Sequence, residues 1–254
     1  MLFDKIIFGP VKSRRLGSSL GVNLLPENGK VCSFDCIYCE CGFNFVNKEA
    51  KMPNYEQIIS AITAALTDLV QKDEKIDTIT FAGNGEPTMH KDFGRIIDFV
   101  VDLRNDLMPD TKISVLSNAT FSGKETVFKA LNKVDNNILK LDSAIEKTVR
   151  LINQPSGEFS IEKLISDLQK FNGNLIVQTL FFSGTFNGVE FDNTSAKEVT
   201  AWVSLLKKIN PRSVMIYTLD RPTPARNLQK ANEQTLKEIA QKVEKEGIKT
   251  QING

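Results

Sequence analysis

Short runs of β-branched residues alternate with longer amphipathic segments along most of this chain, and this alternation constrains its fold more than any other feature. Apolar and β-branched residues cluster over single-strand lengths, which predicts strands at 19–25, 76–83, 112–118, 137–143, 174–182 and 213–219. Apolar residues recur with a period near 3.6 elsewhere, which predicts helices at 55–72, 92–105, 123–134, 160–171, 195–209 and 232–247. A series of this kind builds a parallel sheet with helices packed against it.

The fold class predicted from this series is α/β, a partial (β/α)6 TIM-like barrel with an N-terminal strand or hairpin extension. We expect a single domain over 1–254, with the extension at 1–17 and the partial barrel at 18–254, because no repeat, low-complexity tract or linker interrupts the sequence. Such a barrel places its functional site at the carboxyl ends of its strands. A doubly wound sheet is the alternative, but no predicted strand is followed by G-x-G-x-x-G or a P-loop.

Charge and hydropathy limit the kinds of partner that the chain can have. It carries 32 basic and 31 acidic residues and a net charge of +1, so an extensive nucleic-acid-binding surface is not expected. No apolar run is long enough to span a membrane, and the N-terminus lacks the pattern of a secretory signal. We therefore expect a cytoplasmic protein with no membrane partner. In that reducing compartment, clustered thiols indicate metal or redox chemistry.

All four cysteines lie in one short segment, VCSFDCIYCECGFN at 31–44. Cys32, Cys36 and Cys39 have the spacing C-x3-C-x2-C, and Cys41 follows after one intervening residue. Three thiolates at this spacing can bind one face of an iron–sulfur cluster and leave one iron open to a substrate or cofactor. Structural zinc is the alternative. It usually takes two separated pairs of ligands, whereas here Cys41 would have to be the fourth ligand.

The cysteine motif, with Tyr38 before its third cysteine, resembles that of the radical S-adenosylmethionine (SAM) superfamily. The resemblance covers most of the chain and is strongest to the branch that includes the wyosine-synthase-like proteins. The segments that carry it are GPVKSRRLGSSLGVNLLP (9–26), CSFDCIYCECG (32–42), FAGNGEPTMH (81–90), KLDS (140–143), RLINQP (150–155), LIVQTLFFSG (175–184) and YTLDRPTP (217–224).

This resemblance implies a radical SAM enzyme with two cofactors, a 4Fe–4S cluster and SAM. Cys32, Cys36 and Cys39 would be the metal ligands and the catalytic residues, and SAM would bind the remaining iron. Reductive cleavage of SAM would give a 5′-deoxyadenosyl radical that abstracts hydrogen from a small molecule, a nucleoside or an RNA base. The implied partner is an electron donor of the flavodoxin or ferredoxin type, and the cluster is expected to be sensitive to oxygen.

The resemblance also implies which residues contact SAM and substrate. GNGEP takes the place of the family's Gly-Gly-Glu motif, in which Glu86 would accept a hydrogen bond from the SAM amino group and glycines would let the backbone approach. The expected SAM contacts are Tyr38, Gly83, Asn84, Gly85, Glu86, Asn118, Asp142, Ser143 and Gln178. The expected substrate contacts are Arg14, Arg15, Lys140, Tyr217 and Arg221. A salt bridge is the alternative for Lys140 and Asp142, and a structural role is expected for His90, the only histidine.

The cysteine count limits the reaction further. Four cysteines cannot supply a second cluster of three ligands, which departs from the tRNA-modifying wyosine enzymes and argues against that activity. Cys41 is expected to lie near the cluster without binding it. Two other functions stay open: an activating enzyme that installs a radical on a partner protein, and a non-enzymatic zinc-binding module.

Overall fold

The described part of the chain divides into two units, each built around parallel strands. The computed structural model describes residues 2–45, 47 and 49–253. The first unit comprises Met1–Cys32, Asn44–Ser117 and Phe121–Asn137, and the second comprises Ser33–Phe43, Asn118–Thr120 and Ile138–Gly254. The single-domain organisation expected for 1–254 stays a prediction.

The first unit contains four adjacent strands of a sheet. Its strands are β1 (Ile7–Ser13), β2 (Gly17–Val22), β3 (Thr78–Phe81) and β4 (Lys112–Ser117), and its helices are α1 (Tyr55–Gln71), α2 (Phe93–Leu107) and α3 (Glu125–Leu131). The strands are adjacent in chain order; β1 is antiparallel to β2, and β2, β3 and β4 are parallel. β1 lies in the N-terminal extension predicted at 1–17, whereas β2 corresponds to the barrel strand predicted at 19–25.

Helix α1 illustrates how the sequence forms these elements. Asn54 Oδ1 accepts a hydrogen bond from Gln57 N, and Gln57 Oε1 accepts one from Asn54 N, both at 2.9 Å, which makes a capping box. Apolar residues at helical spacing are buried along one face: Ile58, Ile62, Leu66 and Leu69. Each of these side chains contributes about 1.5–3 kcal/mol through its burial. The cap and the apolar face together begin and orient the helix.

The second unit contains four parallel strands of a sheet and a small antiparallel sheet. Its strands are β5 (Asn136–Lys140, which begins in the first unit), β6 (Ile176–Leu180), β7 (Phe182–Phe186), β8 (Val189–Asp192), β9 (Ser213–Tyr217), β10 (Leu228–Lys230) and β11 (Lys249–Asn253). Its helices are α4 (Glu146–Ile152), α5 (Ile161–Gln169), α6 (Ala196–Ile209) and α7 (Glu233–Glu244). β5, β6, β9 and β11 are parallel neighbours in that order, whereas β10, β7 and β8 form the antiparallel sheet.

A buried aromatic pair joins helix α6 to the end of the parallel strands in the second unit. Trp202 packs edge to face on Phe181, with ring centroids 5.1 Å apart. The indole Nε1 of Trp202 donates to Leu141 O at 3.0 Å, so its polar atom is satisfied inside the core. This packing fixes the backbone at the carboxyl end of β5, where the candidate residues Lys140 and Asp142 lie.

The predicted strands and helices are all present, and the additional elements have physical reasons to be missed. The strand predicted at 174–182 ends at Leu180, because Phe182 begins β7 in the antiparallel sheet. Helix α4 has seven residues, too few for a period to stand out. Strand β11 is mostly exposed at a sheet edge and therefore lacks an apolar run. Within the described residues, every helix is too short or too polar to cross a lipid bilayer.

Candidate functional site

The GNGEP segment forms a tight loop after β3 and holds the residue that precedes the first cysteine. Val31 N donates to Asn84 O at 2.9 Å, and Glu86 N donates to Val31 O at 3.0 Å. Gly85 has a φ of +135°, and a Cβ at this position would lie 1.8 Å from Val31 O. In this structure, the backbone that comes close to Gly85 is therefore that of Val31, which a residue with a Cβ would not allow.

Glu86 lies at the carboxyl end of β3 and is only 2% exposed. Its Oε1 accepts hydrogen bonds from Thr88 N at 3.1 Å, from Thr88 Oγ1 at 2.5 Å and from Ser117 Oγ at 2.8 Å. These donors hold the carboxylate in one orientation. A carboxylate fixed in this way is a fitting acceptor for an ammonium group, as expected for the SAM amino group. The contact between Glu86 and SAM itself stays a prediction.

Asn84 is bonded to the N-terminal segment of the first unit. Its Nδ2 donates to Phe3 O and Pro26 O, and its Oδ1 accepts from Phe3 N, all at 2.8 Å. The neighbouring Gly83 has a φ of +148°, and a Cβ there would lie 2.4 Å from Asn23 Oδ1. These contacts give both residues a structural role in shaping the loop. Their expected contacts with SAM stay predictions.

The second and third cysteines lie in the second unit, in a loop of consecutive turns. Cys39 N donates to Cys36 O at 3.0 Å, and Gly42 N donates to Cys39 O at 2.9 Å. Cys36 is 7% exposed, whereas Cys39, Cys41 and, in the first unit, Cys32 are partly exposed. All four cysteines lie in the described part of the chain, and none of them forms a disulfide.

Tyr38 of the cysteine motif joins a buried polar network at the end of β5. Its hydroxyl donates to Asp142 Oδ2 and accepts from Lys140 Nζ at 2.7 Å. Lys140 Nζ also lies 3.5 Å from Asp142 Oδ2 and 5.0 Å from the centroid of the Tyr38 ring. Leu180 N donates to Asp142 Oδ1 at 3.0 Å. The salt bridge given as the alternative for Lys140 and Asp142 is therefore present, and Tyr38 is its third member.

Asn153 completes this network from the end of α4. Its Nδ2 donates to Asp142 Oδ2 at 2.7 Å, to Tyr38 Oη at 3.1 Å and to Cys36 Sγ at 3.4 Å. Sequence reasoning did not single out this residue, although it lies in the RLINQP segment. The available signal was an amide between the apolar end of a short helix and a proline.

The electrostatics of the network follow from burial and from the opposite charges of Lys140 and Asp142. Burial, partly opposed by the Lys140 charge, raises the pKa of the Cys36 thiol to about 11. Burial and the Asp142 charge raise the pKa of Tyr38 well above its ordinary value. Burial lowers the pKa of Lys140, but the Asp142 carboxylate outweighs it, and the net pKa is raised. Lys140 is therefore a cation beside the cysteine loop.

Two further expected SAM contacts are bonded within the second unit. Asn118 Nδ2 donates to Ser33 Oγ at 2.9 Å, and Asn118 Oδ1 accepts from Thr120 N at 3.0 Å. Ser143 Oγ donates to Glu198 Oε2 at 2.6 Å. Asn118 thus holds the residue that follows the first cysteine, and Ser143 connects the end of β5 to helix α6. Contacts of either residue with SAM stay predictions.

The remaining candidates of the second unit lie beside the network or at the surface. Gln178 is aligned with Lys140 in the β5–β6 register, and Tyr217 is close enough to Lys140 to raise its pKa. Arg221 Nη1 forms an ion pair with Glu40 Oε2 at 2.7 Å, with 66% and 49% of the two side chains exposed. An exposed pair of this kind adds little stability. Arg221 thereby reaches the residue between Cys39 and Cys41.

In the first unit, the other candidates are separated from the GNGEP loop or bonded in the structure. Arg14 and Arg15 lie in the turn before β2, at the opposite end of the parallel strands from GNGEP. The six residues of β2 correspond to about 20 Å, which separates these arginines from the GNGEP loop. Their expected contacts with substrate stay predictions. His90 Nε2 bonds Pro53 O at 2.9 Å, and its Nδ1 accepts from Asp92 N at 3.1 Å, in keeping with a structural role.

The donor set can be tested against the cluster that the sequence implies. Among the described residues, no three Cys, His, Asp or Glu side chains are arranged as a ready metal site. The chemistry of the donors nevertheless fits an iron–sulfur cluster, because the cysteines are outside any disulfide and Cys36 accepts an amide hydrogen bond beside the Lys140 cation. Metal binding commonly completes its own site by drawing flexible ligands together.

Sequence comparison relates the chain to parts of longer proteins, whereas no family model matches it. It is 29% identical over 92% of its length to the GTPase Obg of Brachyspira hyodysenteriae, of which it spans 33%. It is 30% identical over 85% of its length to a UPF0026 protein of Methanocaldococcus jannaschii, of which it spans 64%. It is 32% identical over 86% of its length to a UPF0026 protein of Helicobacter pylori, of which it spans 67%. The sequence contains no G-x-x-x-x-G-K-[ST] motif that would bind a nucleotide phosphate.

Structure comparison relates the fold to radical SAM enzymes. A radical SAM methyltransferase from Sphaerobacter thermophilus superposes with a TM-score of 0.66 at 14% identity, covering 92% of this chain and 65% of that one. SuiB of Streptococcus suis bound to SAM gives 0.65 at 14% identity, covering 92% and 50%. An archaeal TYW1 gives 0.53 at 12% identity, covering 90% and 72%. These superpositions confirm the predicted fold class, an α/β partial barrel. The chain belongs to the UPF0026 family, and its fold is that of the radical SAM enzymes.

Proposed function

We propose that this chain is a radical SAM enzyme in which Cys32, Cys36 and Cys39 bind a 4Fe–4S cluster and SAM binds the open iron. One observation supports this proposal most: the cysteine segment forms hydrogen bonds with other segments that resemble the radical SAM superfamily. In the first unit, Val31 is bonded to GNGEP. In the second unit, Tyr38 is bonded to KLDS and Cys36 to RLINQP. A structural zinc site would need neither set of bonds.

The chemistry that a reduced cluster supplies is one electron to bound SAM, whose cleavage gives a 5′-deoxyadenosyl radical for hydrogen abstraction. Glu86, held by Thr88 and Ser117, would accept hydrogen bonds from the SAM ammonium. The buried thiol of Cys36 would give its ligand position low access to water. Lys140 would place a positive charge beside the anionic thiolates.

The substrate and the electron donor belong to the same proposal. The substrate is a small molecule, a nucleoside or an RNA base, and Tyr217, Lys140 and Arg221 are its proposed contacts in the second unit. The donor is a flavodoxin or a ferredoxin. A reducing compartment, the cytoplasm, suits four cysteines that form no disulfide.

Anaerobic reconstitution tests this function. We expect about four irons per chain and, after reduction with dithionite in the presence of SAM, formation of 5′-deoxyadenosine measured by liquid chromatography. Cys36→Ala should abolish both, because it removes a buried ligand. Cys41→Ala is the matched control and should retain both, since Cys41 is not a proposed ligand.

Two results would refute the proposal. One is stoichiometric zinc without iron after anaerobic preparation, which would favour the zinc-binding module. The other is formation of 5′-deoxyadenosine by Cys36→Ala at the rate of the unsubstituted protein.

A further inference from the structure

The end of the RLINQP segment runs beside the first half of the cysteine loop and is hydrogen-bonded to it. Backbone hydrogen bonds join 33–37 to 152–156. Ile37 N donates to Ile152 O at 3.0 Å, and Asp35 N donates to Asn153 O at 2.9 Å. At the other end, Ser156 N donates to Ser33 O at 2.8 Å, and a β-bridge pairs Phe34 with Pro155. The 152–156 segment therefore sets the backbone path of the loop that carries Cys36.

A left-handed residue shapes this segment. Gln154 has a φ of +44°, which turns the chain between Asn153 and Pro155. The turn presents two successive carbonyls to one donor: Asp35 N lies 2.9 Å from Asn153 O and 3.1 Å from Gln154 O. Because Pro155 has no N–H of its own, the segment faces the cysteine loop mainly with acceptors. Loop amides, which would otherwise be unpaired in a buried place, are satisfied by these carbonyls.

The side chain of Asn153 extends the same contact to the sulfur atom. It is 1% exposed, and its Nδ2 shares two hydrogens among Asp142 Oδ2 at 2.7 Å, Tyr38 Oη at 3.1 Å and Cys36 Sγ at 3.4 Å. Asn153 N donates to Val149 O at 2.8 Å, so its backbone is fixed by helix α4. The amide is therefore held rigidly against the thiol of Cys36.

We propose that the 152–156 segment is the template of the cysteine loop and that Asn153 is a positioning residue that sets the reduction potential of the cluster. This inference rests on the proposed function. An N–H group that donates to a ligating sulfur stabilises the additional negative charge of the reduced cluster and so raises its potential. Asn153 meets the geometric requirement for this effect on one of the three ligands.

The test compares buried asparagines in the same unit. Asn153→Leu keeps the approximate volume and removes the donor. Asn193→Leu is the matched control, because Asn193 is also 1% exposed and bonds Asp142 O and Leu180 O through Nδ2 without a bond to a cysteine. The potential of the reconstituted cluster is measured by redox titration with detection by electron paramagnetic resonance. We expect Asn153→Leu to shift the equilibrium about tenfold toward the oxidised cluster, a fall of about 59 mV for one electron, and Asn193→Leu to leave it unchanged.

A second variant protects the test against misfolding. Asn153→Ser is smaller and too short to reach Cys36 Sγ, and it should show the same fall in potential. An unchanged potential in Asn153 variants that retain four irons would overturn this inference while leaving the proposed function intact. Equal falls in the Asn153 and Asn193 variants would also overturn it, because the effect would then be a general loosening of the unit. Absence of a cluster from the unsubstituted protein would overturn the proposed function and this inference together.

Discussion

Gly85→Ala should be strongly destabilising, because its new Cβ would lie 1.8 Å from Val31 O. Val31 would have to move, which breaks the hydrogen bonds from Glu86 N to Val31 O and from Val31 N to Asn84 O. Two hydrogen bonds contribute about 1–3 kcal/mol together. The φ of +135° adds about 1–3 kcal/mol of backbone strain for a residue with a Cβ. We therefore expect the free energy of unfolding to fall by about 4 kcal/mol, the middle of the summed range.

The matched control is Gly188→Ala. Gly188 also has a positive φ, +75°, but a methyl group added there would have no atom within 4 Å, so only strain of about 1–2 kcal/mol applies. Urea unfolding followed by far-ultraviolet circular dichroism gives both changes under anaerobic conditions. Equal destabilisation of the two variants would refute the close contact between Gly85 and Val31. We also expect Gly85→Ala to retain less iron than Gly188→Ala, because Val31 precedes Cys32.

Two stability predictions concern other bonded residues of the first unit. Burial raises the pKa of Asp135, but hydrogen bonds from Ile113 N and Arg104 outweigh burial and hold the pKa below the ordinary value of an aspartate. The stability that Asp135 contributes is therefore present near neutral pH and is lost as the pH falls through its lowered pKa. Asp135→Asn should therefore lower the free energy of unfolding by about 1–2 kcal/mol at pH 7 and by much less near pH 2; an equal effect at both pH values in urea titrations would contradict this. Asn84→Ala removes three hydrogen bonds to Phe3 and Pro26 and should cost about 2–4 kcal/mol. Hydrogen exchange at Phe3 should accelerate, and unchanged protection there would show that the amide does not hold the N-terminal segment.

The sequence predicts the parallel part of the fold well, because strand and helix periods are both visible. Residues such as Ile58, Ile62 and Leu66 recur at helical spacing and are all buried. The antiparallel sheet is different: FFSGTF and GVEFD continue from a predicted strand without a change of period. The turn at Asn187 and Gly188, both with positive φ, separates β7 from β8. The Asn-Gly pair is the sequence signal for this hairpin, whereas the apolar pattern alone does not show it.

The sequence predicts which residues belong to the candidate site, but it predicts few of the contacts between them. Shared parity on β5 correctly suggested that Lys140 and Asp142 face the same side. The bonds of this pair to Tyr38 and Asn153 could not be derived from the sequence. Tyr38 lies 102 residues before Lys140, and Asn153 lies 11 residues after Asp142 in a different element. Likewise, the GNGEP sequence indicates that its glycines allow a close backbone approach. Only the fold shows that the backbone approaching Gly85 is that of Val31.

The contact between the cysteine loop and RLINQP has a consequence for biosynthesis. Asn153 follows Cys36 by 117 residues, so at 5–20 residues per second a ribosome needs roughly 6–23 s to supply it after Cys36 has been made. During that interval the three thiols exist without the segment that shapes their loop. Insertion of the proposed cluster into a correctly formed loop would therefore follow synthesis of residue 156. Metals that bind nascent thiols before then compete with iron, so expression at a slow elongation rate should increase the zinc content of the purified protein.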